Sequence, residues 1–368
     1  MFATLRRKKR LLTALLLLLL LLSLVLRPQL AYQSALKGLS LWWQVVAPAL
    51  LPFFIISELL LELGIAAYLG PLLSRIMGPL FALPGSGALA VVMGFCSGFP
   101  SGAAITAGLR REESITAEQG ARLIAFTNNA GPLYITVSVA TGLLGCPGAG
   151  LALAAAHYGA DLLLGLGLGI WARLRGEKIT PAASSRSNAL PQTVLSLGAL
   201  LRNAAQRAAG NILLIGCYMV FFSVLTSMVA ALLPQLPLLL HSWLLAIFEM
   251  SLGVNLLAGS GLPLSQITPW AAAIISFGGL SVQAQVLAMI AGTDISPRIY
   301  LLCRPLQAGL AFVIAWLLCQ VLSLPAAALP APLRTPVLSL LLASTILALA
   351  SAAALLGLAW AGKKHSAR

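Results

Sequence analysis

Apolar residues in this chain fall in long blocks, without the strict alternation of a half-buried strand or the narrow stripe of a surface helix. The first block, residues 11–26, is interrupted only by Thr13 and Ser23. Others, at residues 39–63, 123–145, 149–171, 210–233, 238–258, 298–322 and 337–361, each come close to or exceed the ~20 residues that cross a bilayer as a helix. Arg6, Arg7, Lys8, Lys9 and Arg10 precede the first block, as they would in either a signal peptide or a first span. No small-x-small cleavage pattern follows, so the block is read as a retained span.

Two apolar regions are interrupted. Residues 87–109 contain Gly94-Phe95-Cys96-Ser97-Gly98-Phe99-Pro100-Ser101-Gly102, and residues 264–292 are centred on Ser276-Phe277-Gly278-Gly279-Leu280-Ser281. Glycines and a proline at such density oppose an unbroken helix. Non-helical backbone at membrane depth is tolerated only against protein or a water-filled cavity, so both regions are expected to be re-entrant hairpins beside a cavity. The fold class is therefore an all-α polytopic integral membrane protein of about eight transmembrane helices plus two re-entrant helical hairpins in a pseudo-repeat. Its divisions are a basic N-terminus and first span (1–38), a first half (39–172), a basic loop with an amphipathic stretch (173–209), a second half (210–322), and a last span with a basic tail (323–368).

Composition agrees with this pattern and narrows it. Of the 368 residues 60% are hydrophobic and 9% charged, too few charges to solvate a water-soluble surface. A net charge of +14 raises nucleic acid as a partner, but no basic patch is interleaved with stacking aromatics. The excess reads instead as retention of basic loops on the cytoplasmic side. On that basis Arg75, Arg110 and Arg111 put both ends of the first hairpin inside, together with Arg173, Arg175, Lys178 and Arg186, then Arg202 and Arg207, and finally Lys363, Lys364 and Arg368. The same count makes the two halves parallel, whereas many transporters of this construction have inverted halves, and the uncharged stretch 259–263 leaves the choice open. The five cysteines (Cys96, Cys146, Cys217, Cys303, Cys319) have no metal-ligand spacing and read as small core residues.

The interrupted regions can be superposed with Ala90–Phe95 on Ala272–Phe277, a register that pairs Asn128 with Arg304. Paired interrupted segments in two halves point to a transporter's binding site. Candidate ligand contacts are Ser97, Gly98, Ser101 and Gly102 in the first region, Thr127, Asn128 and Asn129 ahead of Gly131-Pro132, and Ser276, Gly278, Gly279, Ser281 and Gln283, with neighbouring Gln285, in the second. Hairpin N-termini and amides favour a small anion; the competing reading of the same groups is interhelical packing and hydrogen bonding. Arg304 offers a planar fork for a carboxylate, or snorkels to the interface. Charges at membrane depth are costly, which makes Glu249 a candidate ion or proton site, as are His157 and Asp161, four apart on one face, where a structural hydrogen bond is the alternative. Glu58 and Glu62 lie near a span end and are expected to be solvated at the interface.

No catalytic group, metal site or cofactor is expected. Ser97, Ser101 and His157 evoke an intramembrane serine protease, but the Gly-x-Ser-Gly signature is missing and a repeated hairpin has no second role there. No P-loop, zincin or dinucleotide motif occurs.

The stretch Trp42-Trp43-Gln44-Val45-Val46-Ala47-Pro48-Ala49-Leu50-Leu51-Pro52-Phe53-Phe54, then Ser97-Gly98-Phe99-Pro100-Ser101-Gly102-Ala103, Arg122-Leu123, Phe126-Thr127-Asn128-Asn129, His157-Tyr158-Gly159 and Phe277-Gly278-Gly279-Leu280-Ser281 resemble, in order and spacing, the YlbJ (SpoVV) family of sporulation integral membrane proteins. That family lies within the nucleoside-recognition or Gate domain superfamily, and the similarity runs to about residue 322. The resemblance implies a protein of the outer forespore membrane that moves dipicolinate, a pyridine dicarboxylate, toward the developing spore and serves cortex formation. It also implies helical hairpins like those of ion-coupled nucleoside transporters. The run Asn128-Asn129-Ala130-Gly131-Pro132 departs from a serine-rich version of this stretch in the family. The expected partners are thus a dipicolinate-like anion, the lipid bilayer and a coupling ion, with a homo-oligomer compatible; a nucleoside carrier and a non-transporting scaffold for spore-envelope assembly are the alternatives.

Overall fold

The computed structural model describes residues 2–63, 65–132, 134–177, 196–232 and 236–321. The expected last span at 337–361, the basic tail, Lys178 and Arg186 lie outside the described residues. The described residues form helices joined by short turns and breaks, with no strand among them. Its helices are α1 (Phe2–Leu26), α2 (Pro28–Leu41), α3 (Ala47–Glu62), α4 (Ile65–Phe81), α5 (Ala88–Ser97), α6 (Ser101–Arg111), α7 (Ala117–Thr127), α8 (Ala149–Leu174), α9 (Leu197–Ala230), α10 (Leu238–Phe248), α11 (Met250–Ala258), α12 (Leu264–Phe277), α13 (Gly279–Met289) and α14 (Arg298–Val321), with π-helical turns at Trp42–Val46 and Tyr134–Leu143.

Four described segments are individually long and apolar enough to cross a bilayer: Ala149–Leu174, Leu197–Ala230, Leu264–Met289 and Arg298–Val321. Two further pairs are sharply bent, Leu17–Leu26 against Pro28–Gln44 by 105° and Leu73–Phe81 against Gly85–Ser97 by 93°. Leu17, Leu18, Leu21, Leu22 and Val25 of α1 are all exposed, the surface a lipid-facing helix presents. The π turn keeps α2 and α3 in one helical run that lies antiparallel to α9: Ser223 Oγ donates to Ser34 O at 2.8 Å, Trp42 Nε1 to Ile212 O at 2.9 Å, and Arg207 pairs with Glu58 at 3.4 Å and Glu62 at 3.2 Å. The amphipathic stretch expected to precede residue 210 is the start of α9 itself, whose 34 residues make it about 51 Å long. Glu58 and Glu62 are thus ion-paired, where interfacial solvation was expected. Among the cysteines, Cys146, Cys303 and Cys319 are core residues as expected, while Cys96 and Cys217 are exposed.

The first hairpin is where the glycines and proline place it. α5 and α6 pack on each other, and Gly94 and Gly102 both back onto the carbonyl of Thr127, so the chain reverses between them. The second hairpin is not at 264–292. Residues 264–289 run on as one apolar span interrupted at Gly278, with α12 packed on α14 and α8, and α13 on α9, α6 and α10. The reversal lies upstream, at residues 238–258, which the hydropathy pattern assigns to a plain span. There Gly253 sits against Ala246 Cβ and Ser242 O, positions that a continuous helix would hold about 10–17 Å apart. No glycine makes that turn: Glu249 is extended (φ −147°, ψ 114°) and its carboxylate accepts from Leu252 N at 3.0 Å, capping α11. The expected span at 123–145 is likewise broken, helical to Thr127 and again from Tyr134, with Asn128 extended between (φ −96°, ψ 91°).

The repeat unit is therefore a hairpin, a broken span and a long span: α5–α6, α7 with the π-helix, and α8 in the first half; α10–α11, α12–α13 and α14 in the second. Contacts between halves are reciprocal, α6 with α13 and α11 with the π-helix, α7 with α14 and α12 with α8. This register replaces the superposition of Ala90–Phe95 on Ala272–Phe277 and pairs break with break. The relation is inverted. Arg110 holds Asp294 through two bonds of 2.7 and 2.8 Å, placing the start of α7 beside the start of α14. Arg122 pairs with Glu177 at 3.3 Å and Arg173 donates to Pro79 O at 2.6 Å, bringing the end of α8 to that same basic side. Long span α8 ends where its counterpart α14 begins, so the two hairpins enter the membrane from opposite faces.

Candidate functional site

Helix breaks at membrane depth strand backbone groups that no water can satisfy, and the polar side chains of this centre are placed where those groups are. α7 is launched by a capping box, with Thr116 Oγ1 accepting from Gln119 N at 3.2 Å and Gln119 Oε1 accepting from Thr116 N at 2.9 Å. Its last carbonyls are met individually. Thr127 Oγ1 donates to Leu123 O at 2.8 Å, Asn128 Nδ2 to Ile124 O at 2.6 Å, and Arg304 Nη2 to Ala125 O. Arg304 Nη1 donates to Asn128 O at 3.3 Å and across to Ser276 O, at the end of α12, at 3.5 Å. Its guanidinium lies 4.7 Å from the centroid of the Tyr300 ring. Arg304 is fully buried; it ties the C-terminal ends of both half-helices together, each the negative end of a helix dipole, and does not snorkel.

His157 performs the matching task from α8. Its Nε2 accepts from Ala130 N at 2.9 Å, so Nδ1 carries the proton and donates to Ser276 Oγ at 2.8 Å. One ring joins the first break to the second. Tyr158 Oη donates to Ala130 O at 2.9 Å. Asp161, one turn along, is fully buried. Gln307 Nε2 donates to its Oδ1 at 2.5 Å, and the Asn129 amide nitrogen donates to Oδ2 at 2.8 Å, to Oδ1 at 3.1 Å and to Phe126 O at 3.1 Å. His157 Nε2 stands 3.6 Å from Asp161 Oδ2.

The hairpin tips close on this centre. Gly98 (φ +87°) backs onto Gly131, and a side chain there would strike the first break. Asn128 Oδ1 accepts from Ala103 N in the first turn of α6 at 2.9 Å. Ser97 Oγ donates to Met93 O at 2.5 Å, whereas the hydroxyl of Ser101, 1% exposed, has no hydrogen-bond partner. Phe99 reaches Gly278, and a Cβ built on Gly279 (φ +69°) would lie 2.6 Å from Ala246 O of the second hairpin. That hairpin also touches the first half, with Tyr134 Oη and Ser251 Oγ 2.9 Å apart. Gln283 Nε2 donates to Phe277 O and Gln285 Nε2 to Ser281 Oγ, each at 3.5 Å.

Of the residues singled out in the sequence, Asn128, Asn129, His157, Asp161, Ser276 and Arg304 form one network. Ser97, Gly98, Ser101, Gly102 and Thr127 adjoin it from the first hairpin and α7, while Gly278, Gly279, Ser281 and Gln283 line the second break and Glu249 occupies the second tip. His157 bonds to Ser276, not to Ser97 or Ser101. Gln307, Tyr158, Tyr300, Tyr134 and Ser251 were not anticipated. Gln307 and Tyr300 had a signal, being three and four residues from Arg304 on the same helix face; Tyr158 is tied in by the Ala130 carbonyl at the first break, and Tyr134 and Ser251 by a side-chain contact between the halves. A separate cavity of about 500 Å³ on the basic side is bordered by Glu58, Glu62, Arg111, Glu112, Arg207 and Asn211. Outside the membrane, the Arg110 guanidinium holds the Asp294 carboxyl below the usual carboxylate range.

Residues 43–145, which include the first hairpin and first break, match the Gate family, described as nucleoside recognition. Over 323 residues the chain is 36% identical to the sporulation integral membrane protein YlbJ of Bacillus subtilis (strain 168), an alignment covering 80% of this chain and 79% of that protein. No solved structure matches it. With its apolar spans and an extended alignment at this identity, the chain belongs to the YlbJ family of sporulation integral membrane proteins.

Proposed function

We propose that the protein carries a small anionic aromatic metabolite, of the pyridine dicarboxylate class to which dipicolinate belongs, across the outer forespore membrane during spore maturation, without catalysing a reaction. The observation that carries this reading is the meeting of two hairpins from opposite faces at two broken spans in an inverted repeat, a construction that places substrate at the midplane. The polarity of the centre supports an anion. Buried groups there without partners include the Ser101 and Tyr300 hydroxyls and Arg304 Nε, all able to donate, against Gln307 Oε1 as acceptor. Purified protein reconstituted in vesicles should take up labelled pyridine-2,6-dicarboxylate; uptake by folded protein no greater than in empty vesicles would refute the reading.

The Gate match over residues 43–145 favours a second reading, a nucleoside as cargo. Vesicles should then take up labelled nucleoside and not the dicarboxylate, whereas a dicarboxylate carrier does the reverse. A scaffold role makes a different forecast, since Ser101→Ala and Asn128→Ala would then leave spore formation intact wherever the protein folds and localises.

A further inference from the structure

The buried carboxylate of Asp161 has partners unlike those of a structural ion pair. Its direct hydrogen bonds come from two neutral amides, Gln307 and Asn129. The nearest ring nitrogen, His157 Nε2, is 3.6 Å away and already accepts from Ala130 N, so it brings no positive charge. Arg304 is an electrostatic neighbour, yet its hydrogen bonds go to the carbonyls of Ala125, Asn128 and Ser276. An arginine partner would lock the carboxylate ionised. An amide serves either state, because its NH₂ donates to a carboxylate and its C=O, turned over, accepts from a carboxylic acid. Gln307 Oε1 is buried with no partner, an acceptor held in reserve beside the carboxylate.

From these contacts we infer that Asp161 binds a proton that travels with the anion, making the carrier a proton–anion symporter. The inference rests on the transport reading above. While Asp161 is ionised it offsets the buried charge of Arg304; once it is protonated, the centre has a net positive charge that only an anion neutralises. Proton and anion then raise each other's affinity, the reciprocity that any coupling free energy requires. The information has a route: Asn129 belongs to the first break, and His157 joins that break to Ser276 in the second. Titratable or charged groups facing Asp161 and its neighbours are His157 and Tyr158 on α8, Tyr300, Cys303 and Arg304 on α14, and Cys96 from the first hairpin beside Tyr158; α12 contributes the uncharged Ser276 and the first break the uncharged Asn129.

The test is calorimetric binding of pyridine-2,6-dicarboxylate to the full-length protein in buffers of different ionisation enthalpy, at pH values where the ligand itself stays fully ionised. The wild type should take up a proton with each ligand bound, and its affinity should rise about tenfold per pH unit of acidification above the midpoint of the site. Asp161→Asn should bind without proton uptake and with an affinity independent of pH. Undiminished proton uptake in Asp161→Asn overturns the assignment. Should that variant fail to fold, Gln307→Leu replaces it: removing the amide must displace the pH midpoint of wild-type proton uptake, and an unmoved midpoint overturns the proposal. Binding and vesicle uptake by the wild type without proton uptake would overturn the coupling while the transport reading stands. Absence of both would remove the transport reading itself, and this inference with it.

Discussion

Two glycines with nearly the same backbone conformation isolate what seats the second hairpin on the second break. Gly279 (φ +69°) and Gly292 (φ +78°) both lie in the left-handed region. Alanine at either costs about 1–2 kcal/mol of strain. Nothing lies within 4 Å of a Cβ built on Gly292, so strain is the entire cost there. At Gly279 the same Cβ would stand 2.6 Å from Ala246 O and 3.3 Å from both Met250 N and Phe248 O. Those are backbone atoms of the hairpin tip and cannot rotate away; forcing them back adds about 1–3 kcal/mol of overpacking. Gly279→Ala should thus destabilise by about 2–5 kcal/mol against about 1–2 for Gly292→Ala. Thermal unfolding of the two detergent-purified variants measures the difference directly, and vesicle uptake reports whether the tip still seats. Equal losses of melting temperature would mean that the tip yields at no cost, and the close approach of the second hairpin to the break would then be no constraint on the site.

Three further outcomes follow from the contacts. Arg304→Gln removes the bonds to Ala125, Asn128 and Ser276 carbonyls and should cost about 3–5 kcal/mol of stability; Arg304→Lys, a point donor without the fork, should rescue little, and a melting temperature unchanged in either variant would contradict the bridging role. Asp294, whose carboxyl is depressed by Arg110, contributes stability that is complete above the ordinary aspartate value of about 4 and fades as pH falls through its lower folded value, so the melting curves of wild type and Asp294→Asn should converge on acidification; a gap that persists in acid contradicts the pairing. In a variant without its native cysteines, Glu118→Cys and Gly259→Cys should react with an impermeant thiol reagent from opposite sides of the membrane. Labelling from the same side would refute the inverted arrangement.

Hydropathy located the apolar blocks because burial in lipid depends on composition summed over a window, and it found the first hairpin because Gly98, Pro100 and Gly102 remove both side-chain bulk and a backbone donor at one point. The second hairpin escaped for a physical reason. Its turn is made by Glu249, which leaves helical geometry and caps the next helix with its own carboxylate, and a capping glutamate inside an apolar block looks the same in sequence as a functional acid. The glycine pair that mimicked a turn, Gly278-Gly279, serves instead to interrupt a span that continues and to admit the backbone of that hairpin. Parallel halves were the natural inference from charge, since the basic residues cluster at one face; inversion is fixed by contacts such as Arg110 with Asp294 that no count of loop charges contains. Asn128, His157, Asp161 and Arg304 were legible as polar groups in apolar surroundings, but their use in satisfying the ends of half-helices depends on breaks whose register the sequence does not display.

Inverted repetition equips both halves with a hairpin whose return helix begins near the midplane, yet the two starts differ chemically. At the second, the Glu249 carboxylate already accepts from Leu252 N at 3.0 Å, so the positive end of α11 holds an internal anion. At the first, α6 begins after Pro100 with no acidic residue in its opening turn, and the Ser101 hydroxyl beside it is buried without a partner. An external anion is therefore favoured at the first tip and repelled at the second, unless Glu249 is itself neutralised. The Tyr300 ring packs with Ala103 and Ala107 on the first hairpin's side and against the Arg304 guanidinium, which adds donors to the side already lacking a negative charge. Symmetry makes the two tips alike in backbone, and this asymmetry of substituents makes the first of them the more favourable for an anion.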